Sequence, residues 1–205
     1  MKINKKSILY FVLILATTNI FGQKNPTLNI GEKMPMHTKV FEDINEKNTN
    51  LSRNLKENGL LVIFTSNTCP FVVMWEDRYE ILEKRCRESN IGLVYVNSNQ
   101  AKRDGDDSIE EMKKHSKKMN YSFPYLIDVN SELANAFGAK TTPHIFLFNN
   151  NKELVYKGAI DDNYKSVDNV KSEYLLDALK EVYTQKSITI SETKAVGCSI
   201  KRVKK

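Results

Sequence analysis

The sequence predicts an α/β fold: a mixed central sheet covered by helices on both faces, finished by a C-terminal β-hairpin plus helix. Three observations predict it. The runs Leu60–Thr65 (Leu-Leu-Val-Ile-Phe-Thr) and Ile91–Val96 (Ile-Gly-Leu-Val-Tyr-Val) are apolar almost throughout, as strands buried on both faces require. Helical stretches alternate with the strands, giving the order β-α-β-α-β-α-β-β-α. Two late runs, Ile145–Phe148 and Leu154–Ile160, flank the turn Asn149–Asn151 and read as an antiparallel hairpin. A chain of 205 residues, 40% hydrophobic and 27% charged, supports one core of ordinary size.

The first element is a targeting segment. Met1–Lys6 is basic, Ser7–Ala16 is mostly apolar but short for a membrane span, and Thr17–Gly22 is a polar-to-small exit. Residues 1–22 therefore read as a secretory signal, cleaved near Gly22–Gln23. An uncleaved single-span anchor is the other reading. Export places the mature chain in the periplasm or outside the cell, where disulfides form, with no stable membrane insertion after signal removal. Loss of the three lysines in 1–22 from 31 basic residues leaves 28 against 25 acidic, a net charge of +3. So small an excess does not select nucleic acid as a partner. Three cysteines are too few for a disulfide-stapled scaffold and leave an odd thiol.

Residues 23–184 read as one domain. Gln23–Met36, with Pro26 and Pro35, is an extended lead-in. Lys39–Ile44 fits a short edge strand, and Ser52–Asn58 a helical turn closed by Gly59. After the first buried strand, Val72, Trp75, Tyr79, Leu82 and Cys86 recur at helical spacing and form one apolar stripe. Cys86 ends that stripe as a small hydrophobe, about 25 Å along the axis from Cys69. Arg103–Asp107 is a charged loop. Ser108-Ile-Glu-Glu111 fits a capping box that opens a helix to about Met119. Lys113, Lys114, Lys117 and Lys118 make that helix a solvated face, with His115 exposed among them. Tyr125–Val129 is a short strand. Ser131 caps a brief helix, Glu132–Phe137, that Gly138 ends. Asp161–Asn163 is a loop before the final amphipathic helix, Val170–Tyr183. Residues 185–205 are a tail, irregular from Ser187, that carries Cys198.

Cys69 holds the most plausible chemistry. It sits where a buried strand ends and a helix begins, with Pro70 at the first helical position, where a missing N–H is no loss. Free N–H groups and the positive end of the helix dipole favour a thiolate there. Ser66 lies three residues earlier; its hydroxyl either donates to the thiolate or a bound oxygen, or is a plain turn residue. Pro143 follows Thr142 and precedes a strand, where a cis X-Pro turn and an ordinary loop proline fit equally. Cys198, beside Gly197, is either a resolving thiol carried to Cys69 by a flexible tail or a packed tail cysteine. His37, His115 and His144 show no metal-ligand spacing. There is no G-x-G-x-x-G, Walker-type loop or serine nucleophile elbow, so the sequence calls for no cofactor and no metal.

The run Phe64-Thr-Ser-Asn-Thr-Cys69-Pro70-Phe71-Val72, then Trp75-Glu76-Asp77-Arg78, resembles the thioredoxin-like redoxins of the alkyl hydroperoxide reductase/thiol-specific antioxidant superfamily. It is most similar to their secreted branch, whose loop reads C-N-x-C-P-[FY]-V. Asp107-Ser108-x-Glu110-x-Met112, Phe123-Pro-Tyr-Leu126, Thr142-Pro143 before Phe146-Leu-Phe148, Gly158-x-Ile160-Asp161-Asp162 and Gly197-Cys198-x-Ile200-Lys201 match in order over residues 30–201. The resemblance implies a thioredoxin-like three-layer α/β/α sandwich. It puts Cys69 at the redox position, makes Pro143 a cis-proline facing it, and makes Cys198 a recurring tail cysteine. Pro70, Thr142, Pro143 and His144 form the implied active-site wall. The family's first loop cysteine is Ser66 here. The position before Thr142, sometimes cysteine, is Thr141, and His144 stands where an acid is frequent. Its side chain either tunes Cys69 or faces away along the strand.

The first function these residues point to is thiol–disulfide exchange in the cell envelope. Cys69 would act on protein thiols or disulfides, Cys198 or an external thiol would resolve the mixed disulfide, and an envelope reductant would complete the cycle. The second is an antioxidant thiol peroxidase, since Ser66-x-x-Cys69 resembles the [Thr/Ser]-x-x-Cys part of the peroxiredoxin loop. Against it, the proline that begins that motif is Val62 here, and no activating arginine is assignable. The third is a non-catalytic binding module on the same fold, with Ser66 marking lost activity.

Overall fold

The computed structural model describes residues 26–203. The secretory signal read over 1–22, and its cleavage near Gly22–Gln23, lie outside the described residues. Within them no helix is long and apolar enough to cross a membrane. In chain order the elements are β1 (Phe41–Glu42), β2 (Asn48–Thr49), α1 (Leu51–Asn54), β3 (Gly59–Thr65), α2 (Pro70–Glu88), β4 (Ile91–Asn97) and α3 (Ile109–Lys118). They continue with β5 (Tyr125–Ile127), α4 (Glu132–Phe137), β6 (Thr141–Thr142), β7 (His144–Phe148), β8 (Leu154–Gly158), α5 (Tyr174–Tyr183) and β9 (Cys198–Ser199).

The central sheet runs β5-β4-β3-β7-β8. β3, β4 and β5 are parallel, while β7 runs antiparallel to β3 and β8 to β7. This is the mixed sheet the sequence predicts. Strand periodicity divides its side chains into two cores. Leu61, Ile63, Leu93, Tyr95, Ile145 and Leu147 face α2 and α5, meeting Val72, Trp75, Tyr79, Leu82, Cys86, Leu175 and Leu179. Leu60, Val62, Phe64, Val94, Val96, Phe146 and Phe148 face the other way, onto Leu133, Ala134 and Phe137 of α4 and onto Met34, Phe41 and Leu51. The result is a three-layer α/β/α sandwich.

Several local expectations are corrected, each for a polar reason. The helical turn read at Ser52–Asn58 is α1, one position earlier, because Asn50 caps it by accepting from Arg53 N–H at 2.8 Å; Gly59 begins β3 instead of ending a helix. Ser131 does not cap α4. The Asp128 carboxylate does, accepting from Leu133 and Ala134 N–H at 2.8 and 2.9 Å. The final helix begins at Tyr174, not Val170, since Asp162 holds the preceding segment extended through Lys171 N–H at 3.0 Å. His115 is not exposed: its Nε2 lies 2.5 Å from the Glu76 carboxylate, where α3 packs on α2.

The tail is not irregular throughout. Its residues run beside β8, where Lys157 N–H donates to the Ser191 carbonyl and Thr193 N–H returns to Lys157, both at 3.0 Å. They then pair with β6 as β9, and Ile200 is buried in the second core.

Asp161 and Trp75, both in the motifs that carry the resemblance, meet in the first core. Asp161, read as a loop residue, is 5% exposed. It accepts from Trp75 Nε1 at 2.9 Å and from Arg78 Nε at 3.0 Å. Arg78 is buried as well and spends its remaining donors on Asp77 and the Met74 and Asn163 carbonyls. Removing one partner of such a pair strands the other charge. Asp161→Ala therefore lowers unfolding stability by about 3–5 kcal/mol in urea titration; a loss under about 1 kcal/mol, the range of an exposed pair, would contradict this description.

Candidate active site

Cys69 is the N-cap of α2, with extended backbone (φ −69°, ψ 119°) and Pro70 opening the helix. The loop before it is held from several sides. Ser66 Oγ accepts from Cys69 N–H at 3.2 Å and Thr68 N–H at 3.4 Å. Asn67 donates its backbone N–H to Asp107 Oδ1 at 3.0 Å and its amide to the Asp106 carbonyl at 2.9 Å, and accepts from the Tyr125 hydroxyl at 3.1 Å. Cys69 is only 4% exposed.

Facing it is the segment Thr142–Pro143, joined by a cis peptide bond. The Cys69 thiol reaches the Thr142 carbonyl at 3.0 Å. Pairing of β6 with β9 sets Cys198 opposite Thr142 and Ser199 opposite Thr141. Gly197 makes this approach possible: a Cβ there would lie 2.2 Å from the Thr142 carbonyl oxygen and 3.1 Å from Pro143 N. With the tail this close, Cys198 flanks Thr142, whose carbonyl takes the Cys69 thiol, and packs against the core that contains Cys69. Cys198 stays half-buried, and both cysteines are free thiols.

The two sulfurs differ in their affinity for a proton. Burial pushes the Cys69 thiol up. The nearby polar groups of Cys198, Thr142 and Val72 outweigh it and leave the thiol below its ordinary value. Cys198 moves the other way. Burial raises it first, then the neighbouring Cys69 sulfur, against a smaller opposing effect from Phe71 N–H. The two shifts thus favour Cys69 over Cys198 as the thiol that ionises first. The Thr142 hydroxyl is buried with no hydrogen-bond partner of its own, so it is available to a thiolate.

Ser66, Pro70, Thr142, Pro143 and Cys198 thus gather around Cys69. Ser66 does so as an acceptor that shapes the loop. His144 does not. Its Nδ1 accepts from Lys140 N–H at 3.3 Å and its ring rests on Phe146, centroids 4.5 Å apart, in the core on the opposite face of the sheet. Burial, then Lys157 and Lys140, depress its pKa to about 3. Cys86 is fully buried at the far end of the stripe, and burial pushes its thiol well up. Sequence reading missed the residues that hold the loop: Asn67, Asn97, Asn99 and Asp107. Asp107 was read as part of a charged loop, yet it is 1% exposed; its place in a family motif was the available signal. Among the described residues no three His, Cys, Asp or Glu side chains converge as a metal site.

Replacing Thr142 by valine removes the free hydroxyl and moves the Cys69 pKa upward, slowing its alkylation near neutral pH. An unchanged pH profile would rule the contact out. For His144 the sign is as follows. Below about 6.5 the unfolded chain takes up a proton that the folded chain refuses until about 3. Stability is therefore complete above 6.5 and lost as pH falls through that window, by up to about 1.4 kcal/mol per pH unit. His144→Gln lacks this component, so its stability relative to the parent rises as acid is added; parallel pH–stability curves would refute the assignment.

The family model described as AhpC/TSA family matches residues 30–157. A search of curated protein sequences returns no match. The fold is similar to that of a hypothetical protein from Sinorhizobium meliloti, at 28% identity and a TM-score of 0.80, covering 88% of this chain and 98% of that one. Peroxidoxin BcpB from Mycobacterium tuberculosis aligns at 15% identity and a TM-score of 0.55, over 77% of this chain and 95% of that one. A thiol-disulfide oxidoreductase from Bacteroides fragilis aligns at 15% identity and a TM-score of 0.52, over 62% and 89%. Fold, ordered motifs and family match agree: the chain has a thioredoxin-like fold and belongs to the AhpC/TSA family.

Proposed function

We propose that the protein is a thiol–disulfide oxidoreductase whose redox pair is Cys69 and Cys198, exported by the segment 1–22 and working in the cell envelope. The observation that carries this reading is the placement of Cys198 opposite Thr142 in the β6–β9 pair, while the Cys69 thiol donates to the Thr142 carbonyl at 3.0 Å beside the Thr142–Pro143 bond. Ser66 stands where the family's loop carries its first cysteine, and Cys198 supplies the missing thiol from the tail.

The reaction balances as two exchanges. The Cys69 thiolate attacks one sulfur of a partner's disulfide, forming a mixed disulfide and releasing the partner's other sulfur as a thiolate, which takes a proton. Cys198, losing its proton to solvent, then attacks the Cys69 sulfur and releases the partner's second thiol. Two electrons have passed to the partner, and the Cys69–Cys198 disulfide remains for an envelope dithiol to reduce. The tail lies on the Thr142–Pro143 segment that faces Cys69, so the first step requires β9 to lift from β6. A two-residue pair opens at low cost.

A peroxidase reading draws less support. Arg78 is committed to Asp161, Asp77 and two carbonyls, and Arg103 to Asp107, Asn97 and Met112. Among the described hydrogen bonds neither arginine reaches Cys69, and Arg103 keeps only its buried Nε without a partner. A binding module without chemistry gives no reason for a lowered thiol at the helix start.

The test is peptide mass spectrometry of the mature protein after mild oxidation, acid quenching and alkylation. The expected result is a Cys69–Cys198 peptide. In Cys198→Ser, Cys69 accumulates instead as a mixed disulfide with the offered substrate. Both cysteines recovered as free thiols would overturn the proposal.

A further inference from the structure

The two sulfurs lie on segments far apart in sequence, and one carboxylate that belongs to neither links them, bonding the Cys69 loop directly and the tail through Asn99. Asp107 Oδ1 accepts from the backbone N–H of Asn67 at 3.0 Å and from Asn97 Nδ2 at 2.7 Å; Oδ2 accepts from Asn99 Nδ2 at 2.8 Å. Asn99 turns its own Oδ1 to the N–H of Lys201 at 2.8 Å, and Ala101 N–H holds the Lys201 carbonyl at 2.8 Å. Asn67 stands two residues before Cys69, and Lys201 three residues after Cys198. Arg103 closes the cluster, donating to the Asp107 and Asn97 carbonyls at 2.8 Å each.

We propose that Asp107 is a positioning residue of the dithiol: it fixes the Cys69 loop through Asn67 and the tail through Asn99 and Lys201, so that the sulfurs face each other in one register. This rests on the reading of Cys69 and Cys198 as a redox pair. The geometry gives the reason. β6 and β9 pair over two residues only. A slip of one residue in so short a ribbon turns Cys198 to its other face, away from Cys69. Asn99 and Ala101 pin Lys201 against that slip, and Asp107 holds Asn99. An acceptor-only group suits a point where three N–H donors meet.

The test is the equilibrium of the reduced protein with oxidised glutathione. The two protein thiols become a disulfide, glutathione disulfide becomes two glutathione thiols, and two electrons pass from one to the other. Parent, Asp107→Asn, Asn99→Ala and the double variant are compared among folded molecules, with folding checked by circular dichroism. Asp107→Asn keeps the shape but sets an NH2 group against donors already there. The equilibrium constant is expected to fall about tenfold in each single variant, the effect of about one buried hydrogen bond. The double variant falls no further than Asp107→Asn, because both act through one chain of contacts. An Asp107→Asn variant with lower thermal stability but the parent's equilibrium constant would make Asp107 a fold residue only and overturn the proposal. Additive losses in the double variant would overturn it as well. If Asp107→Asn does not fold, Asn99→Ala alone decides, an unchanged constant refuting the link. A parent that forms no Cys69–Cys198 disulfide is a different result, which fells the redox-pair reading itself.

Discussion

The sulfur of a cysteine with 4% exposure holds negative charge only where donors replace the water it has lost. That requirement organises the protein. Val72 lies in the first turn of α2, Thr142 in β6 and Cys198 in β9, and these three neighbours lower the Cys69 thiol. Each belongs to a different stretch of chain. Helix start, Thr142–Pro143 segment and tail must all be in place before the Cys69 thiol falls below its ordinary value. The sheet does this by fixing the end of β3 against the start of β7, and Phe64 pairs directly with His144.

The tail is the element that changes the chemistry. A redoxin loop with one cysteine has no second thiol within its own turn, and here strand pairing brings Cys198, about 130 residues later in sequence, opposite Thr142. Gly197 lets the tail backbone lie on the Thr142–Pro143 peptide, where any larger residue would clash. Beyond Cys198 the chain is bound again at Ile200 and Lys201. The ordering is therefore strongest on both sides of the sulfur and weakest at the short pair itself, which suits the lifting of β9 that the proposed exchange requires.

Polar groups buried around the site carry positional information that apolar packing does not. Asp107, Asn97, Asn99, Asn67 and Tyr125 satisfy one another in a closed network. Asp161 does the same for Trp75 and Arg78, about two helical turns beyond Cys69. Apolar side chains tolerate small shifts, whereas a hydrogen-bonded carboxylate fixes its partners to within a few tenths of an ångström. The loop carrying Cys69 is held by the first network and the helix behind it by the second.

The sequence by itself determined the elements that follow from periodicity and local chemistry. The buried runs gave β3 and β4, the stripe from Val72 to Cys86 gave α2 and its buried face, and the hairpin gave β7 and β8. Cys69 at a helix start was legible because strand, turn and proline are neighbours in the chain. The ordered motifs gave the family, and with it the sandwich and the cis bond at Pro143. Only the tertiary structure decided what lies between distant residues. His144 turns to the opposite core because residues alternate along a strand and Phe146 lies on that face. His115 meets Glu76, Asp107 becomes a buried hub, and Asp128 takes the cap from Ser131, because each finds donors or acceptors on another element. The tail was equally open in the sequence, for nothing local distinguishes a free thiol from one paired across a ribbon. Strand pairing between residues 142 and 198 is a contact of long range, and no window of sequence contains both ends of it.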